Sequence, residues 1–367
     1  EVRPTSNRTV PAMNVRLAAT YLGTVVGAGF ASGQEHLHFF ARFSRGGDLG
    51  VALSGLLFIT LGVMLADLAS RHATSSAEDL LELLGGPVAA RAMDAVLTVF
   101  TFCSLCVMMA GSAALFKEHA YLPSSLGMSL TALVTVAAVV KGVEGLLSLN
   151  TVIAPVLLGA PVTVASLSLI RAIARSSPCP GPPWPEGASG NAFIPAWPVA
   201  SVLYVSYNLI LVVAAFASMG RDLDDPRAAR RGAALGGVAL LVFMAAIHIS
   251  LELHGPAIWR AEVPMLLAAS RFGLGLRVVY FAALWVAMVT TAAAACFAFC
   301  RRLGRRNRSV ERALAVSTVL ASALLAQVGF GDLVSRVYPV FGYLGLPLVL
   351  GLVRAWLRSR FALIFLT

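Results

Sequence analysis

Residues 23–35 read GTVVGAGFASGQE, a stretch with four glycines, a glutamine and a glutamate inside an otherwise apolar run. Glycine costs a helix about 1 kcal/mol relative to alanine, so a helix here is weakest at Gly27-Ala28-Gly29. An opened helix offers chemistry from its backbone alone. The upstream half would end in unpaired carbonyls at Gly23, Thr24, Val25 and Val26, and the downstream half would begin with free N–H groups near Phe30, Ala31 and Ser32. Carbonyls at the negative end of a helix dipole suit a small cation, and N–H groups at the positive end suit a carboxylate. The same glycines also suit close packing of a second helix.

The elements that carry this stretch follow from composition. The chain has 367 residues, of which 58% are hydrophobic and 13% charged, with a mean hydropathy of +0.81. Soluble domains carry about twice that share of charge. Nearly charge-free runs of membrane-spanning length recur along the whole chain, which defines a helical multi-pass membrane protein and excludes a β-barrel pattern. The net charge of +10 comes from arginines clustered between the apolar runs. This is the pattern that orients a membrane protein, not one that binds nucleic acid. Neither a phosphate-binding glycine loop nor a zinc spacing is present. Four of the five cysteines (Cys103, Cys106, Cys296, Cys300) lie in apolar runs as small core residues, with Cys179 outside them. The polar start EVRPTSNRTV lacks the features of a signal peptide, and a first residue Glu reads as a processed or trimmed end.

Ten spans are expected, at about 14–42, 48–69, 88–116, 124–142, 146–174, 194–219, 230–252, 274–300, 309–328 and 332–355. A short capped amphipathic helix is expected at 75–86, and a Pro/Gly-rich loop at 176–191 divides the spans into two fives. With both termini in the cytoplasm, about two thirds of the 28 Lys and Arg fall inside. Each five-span half (1–175 and 192–360) then crosses an odd number of times. The halves take opposite topology, as in inverted-repeat transporters. Within the first span, Glu35 is an ionisable side chain at a depth where such groups are costly and usually functional. With the polar run SGQEHLH, it favours a broken helix over simple packing.

The GTVVGAGFASGQE stretch resembles the hallmark of a bacterial group of amino-acid permeases in the amino acid–polyamine–organocation superfamily. That superfamily has the leucine-transporter fold. The resemblance extends over all ten spans and is most specific in the first. It implies an all-α integral membrane protein of the bacterial cytoplasmic membrane, a five-plus-five inverted repeat with discontinuous helices 1 and 6. It also implies a sodium ion held between spans one and eight. The span-one pattern Gly-x-x-Val-Gly-x-Gly is met by Gly23, Val26, Gly27 and Gly29, and the span-eight pattern Ala-x-x-Thr-Ser/Thr by Ala287, Thr290 and Thr291. The residues agree with this, since Thr290 and Thr291 share a helix face with Ala287. Adjacent threonines also commonly bond carbonyls of their own helix. Phe30 stands where relatives with a second sodium site place asparagine, and span five lacks the lysine of some proton-coupled relatives. Both departures favour one sodium, with Glu35 as a gating or proton candidate.

Span six has no central glycine. Its polar cluster Ser206, Tyr207 and Asn208 marks where a break would fall or where helices are glued together. Span three offers Thr101, Cys103, Ser104 and Met108 as pocket lining or core. Asn150 and Pro155 are a candidate pivot in span five, and Pro198 suits the first turn of span six. His36 and His38 face different sides of a helix, and read as entrance residues, partners of Glu35 or interfacial histidines. His248, Glu252 and His254 read as a polar helix end rather than a metal site. The expectation is a sodium-coupled secondary transporter of a small amino acid or similar zwitterion. Gly27, Ala28, Gly29, Phe30, Ser104, Ser206, Tyr207 and Asn208 would face the substrate, and Gly23, Val26, Ala287, Thr290 and Thr291 the ion. No other cofactor is implied. The partners are a small-molecule substrate and membrane lipid, and the sequence sets no oligomeric state. The alternatives are a proton-coupled or uncoupled carrier of an organic cation or amine, and a transporter-like receptor. An intramembrane enzyme is disfavoured, because no nucleophile accompanies the Glu35 cluster.

Overall fold

The computed structural model describes residues 10–142, 144–174, 192–223, 225–304 and 307–364. The first span comes in three pieces: α1 (Val10–Val25), α2 (Ala28–Ser32) and α3 (Gln34–Phe39). Then come α4 (Arg45–Arg71), α5 (Ala77–Leu115), α6 (Ser124–Lys141), α7 (Glu144–Ala174), α8 (Trp197–Met219) and α9 (Pro226–His254). Two short helices, α10 (Pro256–Trp259) and α11 (Pro264–Ser270), lead to α12 (Leu274–Leu303), α13 (Arg308–Leu325) and α14 (Phe330–Ile364). Among the described residues, nine helices are long and apolar enough to cross a membrane. They match the second to tenth expected spans, and the broken α1–α3 run is the first.

One expectation needs correction. Helix 6 is not discontinuous: α8 runs unbroken from Trp197 to Met219. Its polar residues bond without opening it. Asn208 Nδ2 donates to Tyr204 O one turn back, and Ser206 Oγ donates to Gly342 O of α14. No glycine weakens the helix at that point. The expected amphipathic helix at 75–86 is present: α5 consists of two helices that meet at a kink, where Gly86 leaves helical geometry (φ 78°, ψ 177°) and separates the short capped helix from span three. Its expected cap is present, since Ser76 Oγ accepts from Asp79 N and Asp79 Oδ2 accepts from Ser76 N, each at 3.1 Å. The expected loop at 176–191 lies outside the described residues. Pro198 sits in the first turn of α8, as its missing N–H allows.

α4 packs most extensively on α9, and α1 and α8 pack beside them. Small residues permit this approach: a Cβ on Gly237 would stand 2.7 Å from the Ile59 backbone, and one on Gly55 2.8 Å from Leu241 Cβ. In a lipid solvent, such backbone proximity replaces the hydrophobic effect as the source of helix association. α14 packs on α8 and α5, and α12 on α5, α6 and α7.

One buried charge ties three of these helices together. Asp67 of α4 is fully buried. Its carboxylate meets Arg71 at 3.0 Å, Arg230 of α9 at 3.1 Å and Arg360 of α14 at 3.5 Å, and accepts from Trp356 Nε1 at 3.2 Å. Breaking a buried ion pair costs about 3–5 kcal/mol, because a charge is left uncompensated. The arginines here are 27–36% exposed, so water softens their loss. Asp67→Ala is therefore expected to destabilise the protein by about 3 kcal/mol. Thermal unfolding in detergent checks this, and an unchanged midpoint would show that the cluster is not structural.

Candidate functional site

The site is built around the interruption of the first span. α1 ends at Val25, and Gly27 takes an extended conformation (φ −99°, ψ −172°) before α2 begins. The hydrogen-bond ladder breaks there. Val26 N reaches Leu22 O and Gly27 N turns to Val25 O, leaving the carbonyls of Gly23, Thr24 and Val26 without backbone donors among the described residues. On the far side, Ala31 N is the first to find an acceptor, Gly27 O, at 3.0 Å. The open N–H groups are thus those of Ala28, Gly29 and Phe30. The sequence expectation is shifted by two residues, because Gly27 rather than Gly29 caps α2.

A second interruption, which the sequence reading did not place, lies at Gly33. Its φ of 82° is left-handed, and a Cβ there would also meet Met265. This residue turns the chain from α2 into α3. Carbonyls of α2 find side-chain donors: Tyr280 of α12 donates to Ala31 O, and Ser32 Oγ folds back to donate to Gly29 O. Such exposed backbone polarity survives at membrane depth only when protein or an aqueous cavity covers it.

A cavity of ≈ 1080 Å³ runs along α1 to this interruption. It is lined by Arg16, Gly23, Val26, Gly27 and Ala28 from the first span, by Ala154, Pro155 and neighbours from α7, and by Ala287 and Thr291 from α12. Arg16 and Gly23 are exposed while Val26 and Ala28 are buried, so the cavity is open toward the start of α1 and closes at the interruption. Four of the five expected ion-site residues thus share one wall. The fifth, Thr290, is buried beside them and donates to Ala287 O at 3.0 Å. Pro155 lies within a continuous α7, as does Asn150.

Across α2 lies the carboxylate of Glu35, which is 5% exposed. Tyr207 of α8 donates to Glu35 Oε2 at 2.5 Å. Glu35 Oε1 lies so close to Gly29 that a Cβ would collide with it, and Tyr338 Oη would stand 3.4 Å from the same Cβ. The rings of Tyr207 and Tyr338 stack at 5.0 Å, and Tyr204 and Phe39 pack against Tyr207 at 5.5 and 5.9 Å. Glu35 is therefore a buried carboxylate in a cage of aromatic rings, beside the opened backbone.

The other expected site residues are dispersed. Phe30 is buried edge-on against His36 at 4.8 Å. His36 packs among Phe30, Phe40 and Tyr204, and His38 lies 3.2 Å from Gln34 Nε2. Neither histidine pairs with Glu35. Ser206 and Asn208 are committed to carbonyls, as described above. Ser104 is half-buried on α5 and does not line the α1 cavity, and Thr101 donates to Thr98 O. Cys103, Cys106, Cys296 and Cys300 are free thiols within α5 and α12, and Cys179 lies outside the described residues.

On the side away from the cavity, acidic residues lace the short segments shut. Glu118 accepts from the backbone N–H groups of Glu262 and Val263 at 2.9 and 3.2 Å. Glu262 in turn accepts from Gly331 N, at the start of α14, at 2.7 Å.

With this geometry in hand, known proteins place the fold. The chain is similar over 334 residues to the membrane protein YkvI of Bacillus subtilis (strain 168), at 25% identity, covering 91% of this chain and 93% of that one. Its structure is similar to that of MhsT in complex with L-phenylalanine, with a TM-score of 0.55 and 19% identity over 91% of this chain and 87% of that one. It is also similar to the substrate-bound, outward-open state of a Na+-coupled sialic acid symporter, with a TM-score of 0.53 and 12% identity over 90% of this chain and 76% of that one. No protein-family model matches the chain. The chain is a multi-pass helical membrane protein with the leucine-transporter fold.

The contact between Gly29 and Glu35 gives a direct test. Gly29→Ala alone is expected to cost about 1–3 kcal/mol, because the added methyl overpacks a buried carboxylate. In a Glu35→Ala background the same change should cost a few tenths at most, since the colliding oxygen is gone. A double-mutant cycle by thermal unfolding reads the coupling. Equal costs in both backgrounds would mean that the two residues do not touch.

Proposed function

We propose that the chain is a secondary active transporter that couples a sodium ion to the inward movement of a small amino acid or similar zwitterion by alternating access. The observation that carries this is the opened backbone of the first span: the carbonyls of Gly23 and Val26 and the N–H of Ala28 lack backbone partners among the described residues, and these three residues line the α1 cavity together with Ala287 and Thr291. The carbonyls of Gly23, Val26 and Ala287, with the hydroxyls of Thr290 and Thr291, supply five neutral oxygens for one monovalent cation. Thr290 donates its proton to Ala287 O, so its oxygen would meet a cation as an acceptor.

The substrate carboxylate would meet the N–H groups at the start of α2. Its ammonium needs a negative partner, and an unbroken α8 frees no carbonyls to serve. Glu35 is the buried anion nearest α2, so it takes that role, with Phe30 and Tyr207 shaping the pocket. The halves 1–175 and 192–360 form the two inverted repeats, with both termini in the cytoplasm of a bacterial inner membrane. The arginine-rich end that carries Arg71, Arg230 and Arg360 agrees with that orientation. The α1–α3 run, α4, α8 and α9 pack as one group, which suits a bundle that rocks against the remaining helices.

One observation favours a second reading. Glu35 within rings of Tyr204, Tyr207, Tyr338 and Phe39 is the arrangement that recognises an ammonium group, so an organic amine, with or without proton coupling, would also be held here.

Two measurements decide. Counterflow of labelled amino acids in proteoliposomes should be present and should require sodium over choline. In thermal shift, sodium at 100 times its dissociation constant should stabilise the protein by about 2.7 kcal/mol, and Thr290→Ala/Thr291→Ala should abolish that response. A sodium response unchanged in the double variant removes the ion site. Counterflow of amines alone, lost in Glu35→Gln, establishes the second reading. Ligand stabilisation without counterflow of any solute would make the chain a receptor.

A further inference from the structure

We propose that Asp48, His248 and Glu252 form a binding site for a divalent transition-metal ion of the zinc class, at the end of the bundle opposite the α1 cavity mouth. His248 and Glu252 are one turn apart near the end of α9, and Asp48 lies in the first turn of α4. His248 Nε2 is 3.2 Å from Asp48 Oδ1 and 3.5 Å from Glu252 Oε1. One ligand atom from each residue lies within 4.8 Å of the other two.

Three facts separate this cluster from an ordinary surface ion pair. First, His248 is 2% exposed, and neither ring nitrogen has a well-formed hydrogen bond among the described residues. Nε2 faces the two carboxylate oxygens without good hydrogen-bond geometry to either, and an ion bound there would offset the cost of burying it. Second, two carboxylates converge on a single nitrogen, which can donate to only one of them. A cation between the three groups resolves both the unmet acceptor and the repulsion of the two anions. Third, the spacing suits a tetrahedral metal. Bonds of about 2.0–2.1 Å to His nitrogen and carboxylate oxygen imply ligand–ligand edges of roughly 3.3 Å, close to the two measured here.

The ligand set also sets the class of ion. An imidazole with two carboxylates favours Zn2+, Co2+ or Mn2+ over Mg2+ and Ca2+, which prefer all-oxygen shells. Asp48 and Glu252 side chains are 58% and 38% exposed, so an ion enters from solvent and keeps a water as its fourth ligand. The ring of His248 lies against Gly47, where a Cβ would come within 2.9 Å of Cε1. This close fit holds the imidazole at the turn that joins the broken first span to α4. A bound ion therefore clamps that turn to α9. His254, the third residue that sequence spacing offers, is not part of the site, because its Nδ1 lies 2.7 Å from Ser250 O. The proposal does not depend on transport.

The test uses the full chain, purified in detergent and stripped with a chelator. Zn2+ binding by titration calorimetry should show one ion per chain, and Co2+ should give the visible absorption of a four-coordinate site that Zn2+ bleaches. Losing a second-shell partner already weakens metal sites about 10–100-fold, so Asp48→Asn/Glu252→Gln should weaken Zn2+ binding by about 100-fold or more. Size-exclusion elution of that variant should be unchanged, and His248→Gln serves as the second variant if it is not. Equal Zn2+ affinity in wild type and variants would overturn the proposal, as would equal stabilisation by Mg2+ or absence of any Co2+ spectrum in the wild type.

Discussion

Unpaired peptide groups cannot be left in hydrocarbon, and this constraint organises the molecule. Each unsatisfied N–H or C=O costs several kcal/mol there, yet the first span interrupts its own ladder twice, at Gly27 and at Gly33. The surrounding helices are arranged to cover these gaps. Tyr280 of α12 takes the carbonyl of Ala31, Ser32 folds back onto Gly29, and Gly23 and Val26, whose carbonyls lack backbone donors among the described residues, line the α1 cavity. The break is stable because distant parts of the chain complete it.

The same logic explains where charge sits. The carboxylates that join helices have partners: buried Glu35 the phenol of Tyr207, buried Asp67 three arginines and an indole, and half-buried Glu118 two backbone N–H groups. These contacts link segments far apart in sequence at three levels of the bundle. The Asp67 cluster fastens the cavity end of α4, α9 and α14. Glu35 fastens the middle, and Glu118 with Glu262 fastens the opposite end. The cavity opens toward the start of α1, and the acidic lacing lies at the opposite end of the bundle.

α8 shows how a polar cluster in a span can be read in two ways. Ser206, Tyr207 and Asn208 carry the side chains that often accompany a helix break, yet all three point their bonding capacity at other groups: a carbonyl of α14, Glu35 and the preceding turn. Asn208 shares the Tyr204 carbonyl with the ladder, yet without a glycine to weaken it the helix stays continuous.

The sequence by itself determined what depends on local composition. Run lengths defined nearly all the spans, the glycines of GTVVGAGFASGQE located the first interruption to within two residues, and the segment 75–86 read as the short capped helix that is found there. That Gly23, Val26, Ala287 and Thr291 line one cavity was expected from the resemblance to the permease group, which pairs spans one and eight, and not from periodicity. Tertiary structure alone decided the rest. Glu35 meets Tyr207 across 172 residues, Asp67 gathers arginines from three helices, and Asp48 rather than His254 joins His248. Periodicity says which residues share a face of one helix. It does not say how that helix is rotated against its neighbours, and in a bundle packed through glycine contacts that rotation chooses every partner.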